Sequence, residues 1–142
     1  MQTWKSLIQA GNEYFQNADY EEAEQHYIQA CERVGKLYPH WPDAEEAVAA
    51  TLAAYHNLAE CLKCQGRYTV ALEALQKVHH LFGESLKTPH CDPLLCEALM
   101  CGRRRARTEL MTYRRQMHLV DGGSFRGESH LPIGSAVVEK YA

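Results

Sequence analysis

The feature that most constrains the fold of this chain is the helical spacing of its apolar residues. Apolar and small side chains recur at steps of three and four in five separate stretches, which places them on one helix face in each stretch. The stretches begin at Trp4, Tyr20, Val48, Ala71 and Leu95. No stretch before residue 119 alternates in the way that a half-buried strand does, so the pattern predicts an all-α fold.

Capping residues and glycines divide the stretches into five predicted helices. Asp19 is followed by a capping-box glutamate, and Asp92 is followed by a proline that suits a first helical position. Gly35 and Gly83 are predicted to end the second and fourth helices, and Gly66 separates the third from the fourth. The connections are short, so consecutive helices are expected to pack antiparallel. The predicted helices cover residues 2–16, 19–36, 42–65, 68–82 and 92–118.

Two stretches of the chain repeat one pattern of small and bulky residues. The pattern is Gly11, Tyr14, Ala23, Tyr27 and Ala30 in the first stretch, and Ala59, Leu62, Ala71, Leu75 and Val78 in the second. Corresponding positions are 48 residues apart, and the spacing within each stretch is identical. The pattern resembles the tetratricopeptide repeat, a 34-residue pair of helices. In such repeats the small residues let the paired helices approach closely, and the bulky residues fill the space between units.

The resemblance implies a right-handed solenoid of antiparallel helical hairpins, similar to small bacterial members of this superfamily. It covers residues 4–37 and 50–82 within a predicted domain of residues 1–118. The extra length of the 48-residue spacing is attributed to a longer first helix in the second repeat and to its linker. The fifth helix is either the first helix of a third repeat or a cap. Residues 119–142 are predicted to form an irregular or partly ordered tail.

The groove-facing positions of the resembled repeats imply a peptide-binding site. Mixed amide, imidazole, charged and aromatic groups can hydrogen-bond an extended backbone and pack one of its side chains, although such positions can also be simply solvated. Ile8 stands where some family members have a lysine that clamps a carboxylate, which argues against carboxylate capture. The predicted lining is Lys5, Ile8, Asn12, Phe15 and Gln16 in the first repeat and Ala53, His56, Asn57, Glu60, Lys63 and Cys64 in the second.

The chain has six cysteines, and two of them invite a metal interpretation. Cys61 and Cys64 have the C-x-x-C spacing of zinc ligands, but a structural zinc site needs four ligands. The pair falls inside a predicted helix, and no second C-x-x-C follows. We therefore predict no metal and no cofactor, with Cys61 and Cys64 as the only weak zinc candidates. Cysteines used as small packing residues suit a reducing, cytoplasmic compartment.

Charge is distributed unevenly along the chain. Residues 1–86 hold 6 Lys and Arg against 12 Asp and Glu, a net charge of −6, whereas residues 87–142 hold 9 against 6, a net charge of +3. The basic patch of the fifth helix consists of Arg103, Arg104, Arg105, Arg107, Arg114 and Arg115. It can meet an acidic partner or nucleic acid, or it can pair with the acidic half of this chain or of a second copy. Because aromatic residues hardly interleave with the arginines, a protein partner is favoured over nucleic acid.

No catalytic constellation is recognisable in the sequence. It has no G-x-S-x-G elbow, no phosphate-binding glycine loop and no H-E-x-x-H. No apolar run reaches the ~18 residues that a membrane span needs. We therefore predict a noncatalytic protein-interaction module, an adaptor or chaperone-like protein, that binds a protein segment in its groove. The alternatives are nucleic-acid binding through the fifth helix and a homo-oligomeric scaffold, since two repeats are fewer than the usual minimum of about three.

Overall fold

The structure is a computed structural model that describes residues 3–37, 40–88 and 92–121, with side chains up to residue 117. No strand is present among these residues, so the predicted all-α fold is confirmed for them. In the same ranges, every helix is too short or too polar to span a lipid bilayer. The helices are α1 (Trp4–Gln16), α2 (Tyr20–Leu37), α3 (Ala44–Cys64), α4 (Tyr68–Leu86) and α5 (Pro93–Asp121).

Three of the helix starts are fixed by side chains that accept a backbone hydrogen bond. Thr3 Oγ1 accepts from the amide of Ser6 at 3.3 Å at the start of α1. Asp43 Oδ1 accepts from the third residue after it at 3.0 Å, and Asp92 Oδ1 accepts from the amide of Leu94 at 2.8 Å. These bonds satisfy amide groups that have no partner within the helix. The predicted start of α5, with an aspartate before a first-turn proline, is confirmed.

Glycine marks only one helix boundary in the way that the sequence predicts. Gly66 has a φ of +75° and lies between α3 and α4, where a left-handed residue ends the helix. The predicted ends at Gly35 and Gly83 are wrong, because α2 continues to Leu37 and α4 to Leu86. A Cβ atom at Gly83 would lie 3.4 Å from Nε of Arg103, so the last turns of α4 are packed against α5. This tertiary contact outweighs the low helix propensity of glycine.

Consecutive helices pack against one another, and α5 packs against α3 as well as α4. The α1–α2 pair is antiparallel, because Phe15 near the end of α1 meets Tyr20 at the start of α2, with ring centroids 5.4 Å apart, whereas the earlier Asn12 meets the later Tyr27. Antiparallel packing of α4 and α5 follows from the bond between the Tyr113 hydroxyl and the carbonyl oxygen of Tyr68, 2.8 Å long. The prediction of antiparallel neighbours is confirmed for these pairs.

Helices α3 and α5 run parallel to each other. Their contacts pair Val48 with Gly102, His56 with Glu109, and Lys63 with Gln116, in the same order along both helices. Such a pairing places the two helices side by side with the same chain direction.

The core joins all five helices and depends on two glycines at helix crossings. A Cβ atom at Gly11 would lie 2.5 Å from Cε1 of Tyr27, so α1 and α2 approach each other through the absent side chain. Gly102 allows the same close approach in α5, because a Cβ atom there would meet the side chains of Val48 in α3 and Phe82 in α4. Helices that cross through glycine lie closer than side chains would allow.

Candidate functional site

The main candidate site is a groove along the shared face of α3 and α5. It consists of two consecutive clefts, of about 790 Å³ and about 360 Å³, between the same two helices. We call this surface the α3–α5 groove. Its wall on α3 includes Glu45, Val48, Ala49, Leu52, His56, Glu60 and Lys63, and its wall on α5 includes Leu94, Glu97, Ala98, Cys101, Arg105, Glu109, Thr112 and Gln116.

The first cleft of the groove has an apolar floor with charged residues beside it. Val48 and Leu52 are almost fully buried and form part of the floor, while Leu94 at the start of α5 is 73% exposed. Carboxylates flank this floor on both helices, and Arg105 is the last α5 residue that lines the cleft. An apolar surface of this kind accepts a hydrophobic side chain, and the surrounding charges orient it.

The second cleft is lined by a network of charged and polar side chains. Lys63 Nζ lies 3.2 Å from Glu60 Oε1 and donates to Gln116 Oε1 at 3.0 Å. The ring of His56 links the two helices, with Nδ1 3.3 Å from Glu109 Oε2 and Nε2 3.9 Å from Glu60 Oε1. The side chains of Lys63 and Glu60 are only 7% and 12% exposed, so their charges are held at fixed positions. A preorganised network of this kind presents oriented donors and acceptors to a ligand.

Tyr113 forms the base of the second cleft and contributes another fixed polar group. The ammonium of Lys63 lies 5.2 Å from the centre of its ring, within the range of a cation–π contact. Burial raises the pKa of Tyr113 above its ordinary value, and the neighbouring Tyr68 and Glu60 raise it further. The phenol therefore stays protonated, and its hydroxyl donates to the carbonyl oxygen of Tyr68.

The lining of the groove is acidic as a whole. Among its described lining residues are five carboxylates and two cations, which give a net charge of −3 with histidine neutral. Opposite charge attracts a cationic segment toward this surface and disfavours an anionic one. The carboxylates are Asp43, Glu45, Glu60, Glu97 and Glu109, and the cations are Lys63 and Arg105.

The residues predicted to line a peptide groove are divided by the structure. Three of them, His56, Glu60 and Lys63, lie together in the second cleft, where Glu60 and Lys63 are themselves largely buried at 9% and 8% exposure. Lys5 is half-buried with its ammonium 5.9 Å from the Trp4 ring centre, and Gln16 is exposed at the end of α1. The side chain of Cys64 is also exposed, but it lines neither cleft.

Five other predicted lining residues are buried, and their predicted exposure is corrected. Asn12 Oδ1 accepts a 2.6 Å hydrogen bond from the hydroxyl of Tyr27, which ties α1 to α2. Phe15 stacks edge-on against the α2 ring of Tyr20. Such core contacts leave little accessible surface for a ligand. The buried residues are Ile8, Asn12, Phe15, Ala53 and Asn57, which are between 0% and 7% exposed.

The α5 side of the groove was missed by sequence reasoning. Glu109 and Gln116 complete the polar network, and each is paired with a residue 53 positions earlier in α3. The repeat pattern offers no match in the fifth helix, so no groove-facing positions could be assigned there from the sequence. A constant offset of 53 residues between polar residues of the third and fifth helices is the sequence signal that could have identified Glu109 and Gln116.

The six arginines of the predicted basic patch fall on different faces of α5. Arg105 lines the α3–α5 groove, whereas Arg115 is exposed and is not a lining residue of the groove or of the second surface that the other arginines form. The other four line a second surface between α4 and α5, with a volume of about 830 Å³, which we call the α4–α5 cleft; they are Arg103, Arg104, Arg107 and Arg114. In the described ranges, none of the six forms an ion pair with a carboxylate. Pairing with the acidic first half of the chain is therefore not observed there.

The two cysteines considered as zinc ligands have different surroundings. Cys61 is completely buried, and its thiol donates to the carbonyl oxygen of Tyr20 at 3.1 Å. Burial raises the pKa of Cys61 to about 12, and burial together with Glu60 raises the pKa of the Cys64 thiol. A thiol that resists deprotonation is a poor metal ligand and nucleophile. In the part of the chain that the structure describes, no group of three or more His, Cys, Asp and Glu residues could hold a metal.

Comparison with known proteins identifies a family. The family model described as "Protein of unknown function (DUF2753)" matches residues 2–119, and the chain therefore belongs to this family. No curated protein and no solved structure matches the chain. The family description names no activity, so a functional assignment depends on the geometry of the two surfaces above.

Proposed function

We propose that this member of the DUF2753 family is a noncatalytic binding module built from tetratricopeptide-like hairpins, which holds an extended protein segment in its α3–α5 groove. The observation that carries this proposal is the alignment of two open clefts along one face of the same two helices. Grooves lined by successive parallel helices are the binding surfaces of helical-repeat proteins.

The helix packing supports the tetratricopeptide-like part of the proposal. The first hairpin closes through Gly11 against Tyr27, the positions at which the resembled repeat has a small and a bulky residue. The equivalent residues of the second hairpin, Ala59 and Leu75, are both buried in one cluster. The parallel course of α3 and α5 matches the first helices of two successive hairpins.

The length of the groove sets the length of the segment. Its α3 wall extends from Glu45 to Lys63, which is about 27 Å at a rise of 1.5 Å per helical residue. An extended chain advances ~3.3 Å per residue, so the groove accommodates roughly eight residues. Such a segment meets the apolar floor in the first cleft and the polar network in the second.

The charge of the groove sets the composition of the segment. The net charge of −3 favours a segment with one or more Lys or Arg residues, and Val48 and Leu52 favour an apolar side chain beside them. The Glu60 and Glu109 carboxylates are oriented by Lys63 and His56, so they are preorganised acceptors for a cationic side chain or backbone amides.

Selection from a library of random peptides, with the purified chain immobilised, tests the proposal. Selected peptides are expected to combine basic and apolar residues. Ala49→Arg places a large cation in the first cleft and is expected to weaken binding of these peptides at least tenfold. Gln29→Arg introduces the same charge on the exposed face of α2 and is the matched control.

Two measurements decide the outcome. Isothermal titration calorimetry of one selected peptide gives its Kd for the wild-type chain and both variants, and circular dichroism shows whether each variant is folded. The proposal is overturned if selection enriches no peptide family, or if Ala49→Arg and Gln29→Arg bind the selected peptide equally well. A folded Ala49→Arg variant that alone loses binding supports it.

A further inference from the structure

The α4–α5 cleft is a positive surface with no negative group in its lining. Four arginines are among its described lining residues, and no Asp or Glu is among them. The positive charge of these arginines acts on His79. Its pKa is lowered by partial burial and by the charges of Arg103, Arg107 and His80. The uncompensated charge is therefore concentrated on one surface of the protein.

The α5 wall of this cleft has the spacing of a helix–helix seam. Met100, Arg104, Arg107, Met111 and Arg114 follow one another at steps of four and three residues, which aligns them along one side of α5. Met100 and Met111 are 53% and 47% exposed, large values for apolar side chains. This spacing is that of side chains that contact another helix, in which apolar residues act as anchors and charged residues select the partner.

The position of the cleft also suits another helix. Helices α1 and α2 form one hairpin and α3 and α4 another, whereas within the described ranges α5 has no following helix packed on it. The cleft lies on the side of α5 away from the α3–α5 groove, because its α5 residues and those of the groove are different. A helix placed there would complete a third hairpin.

We propose that the α4–α5 cleft binds an acidic amphipathic helix of a partner protein, with its carboxylates on the arginines and its apolar residues on Met100 and Met111. From Met100 to Arg114 the seam spans about 21 Å at 1.5 Å per residue, so the guest helix has roughly four turns in contact. Its carboxylates are spaced by three, four and seven residues to match the arginines. This inference depends on helix packing and charge, and it does not require that the α3–α5 groove binds a peptide.

Protein is favoured over nucleic acid by the composition of the cleft. A polyanion is bound by cations that follow its backbone over a long distance, and single strands also need aromatic stacking surfaces. The cleft instead has two methionines on the same side of α5 as its arginines, and none of its described lining residues is Phe, Tyr or Trp. The acidic first half of the chain, with a net charge of −6, also repels a long polyanion.

The test uses two fluorescent helical peptides of four turns. The glutamate peptide has glutamate and leucine on one face, and the lysine peptide has every glutamate replaced by lysine. Fluorescence anisotropy with the full chain is expected to show at least tenfold tighter binding of the glutamate peptide. The paired variant Arg103→Glu and Arg107→Glu is expected to lose that binding at least tenfold and to gain affinity for the lysine peptide. Arg115→Glu, exposed on the same helix outside the cleft, is the matched control and is expected to bind as wild type does.

A single variant keeps the test valid if the paired variant does not fold. Arg114→Glu changes an exposed arginine in the last part of the seam and is expected to weaken the glutamate peptide about threefold or more. The proposal is overturned if the two peptides bind equally, or if Arg115→Glu weakens binding as much as the cleft variants. It is also overturned if a DNA or RNA duplex binds more tightly through these arginines than the glutamate peptide does. If the protein dimerises with rising concentration and the paired variant does not, the cleft binds a second copy of this chain. If the glutamate peptide binds only after residues 122–142 are removed, the cleft binds the end of this chain. Either result overturns the proposal.

Discussion

Replacing Gly102 by alanine is expected to destabilise the protein, although alanine is the better helix former. The new methyl group would collide with Cγ1 of Val48 and would lie 3.2 Å from Cε2 of Phe82. Both neighbours are almost fully buried, and a valine in a helix has little freedom to change its rotamer. The collision therefore has to be relieved by moving α5 away from α3.

The magnitude follows from two opposing effects. Overpacking of a close-packed core costs typically 1–3 kcal/mol, and the rigid neighbours at Gly102 favour the upper part of this range. Replacement of a helical glycine by alanine returns roughly 1 kcal/mol. The net loss in the free energy of unfolding is therefore about 2 kcal/mol, which lowers the Tm by roughly 4–8 °C for a chain of this size.

Urea denaturation followed by far-ultraviolet circular dichroism measures this loss. Gly35→Ala is the matched control, because a Cβ atom there meets nothing within 4 Å, and it is expected to stabilise by roughly 0.5–1 kcal/mol. Adding Val48→Ala to Gly102→Ala removes the colliding methyl, so the double variant is expected to recover about 1 kcal/mol relative to additivity. If Gly102→Ala stabilises the protein as Gly35→Ala does, the close packing of α5 on α3 is refuted.

Three further perturbations test other parts of the structure. Tyr27→Phe removes a buried hydrogen bond between α1 and α2 and is expected to cost about 1–2 kcal/mol in urea denaturation, and an unchanged midpoint would contradict that contact. Arg103→Gln is expected to raise the pKa of His79 toward its ordinary value of 6.5, as followed by NMR of the ring protons. Because the pKa of His79 is lower in the folded than in the unfolded chain, the wild-type protein loses stability as the pH falls through 6.5, and Arg103→Gln loses less stability. An unchanged NMR titration of His79 in the variant would refute the influence of this arginine. Alkylation at mildly alkaline pH is expected to label the exposed Cys101 and to spare Cys61, whose pKa is about 12, and equal labelling by mass spectrometry would contradict the burial.

The helices could be predicted from the sequence because local signals determine them. Apolar spacing located all five, and the predicted cap at Asp92 marks a real helix start. Gly35 and Gly83 misled the prediction because a glycine ends a helix only where the chain needs a left-handed residue, as at Gly66. Whether packing carries a helix through a glycine depends on residues distant in sequence.

The candidate site was only partly predictable for the same reason. His56, Glu60 and Lys63 were identified from their place in a repeat, but their partners Glu109 and Gln116 lie 53 residues later. The separation of the basic patch into two surfaces depends on how α5 is rotated against α3 and α4. Sequence spacing gives the relative directions of the arginines, but the neighbouring helices decide which surface each one lines.

Helix α5 forms a wall of both the α3–α5 groove and the α4–α5 cleft. A ligand that shifts or tightens this helix from one side changes the position of the opposite wall. Two ligands bound on its two sides are then energetically coupled, and the factor by which one changes the affinity of the other is the same in both directions. Gly102 lies where this helix packs closely on Val48 of α3 and Phe82 of α4, so a shift of α5 on one side would also change its packing on the other.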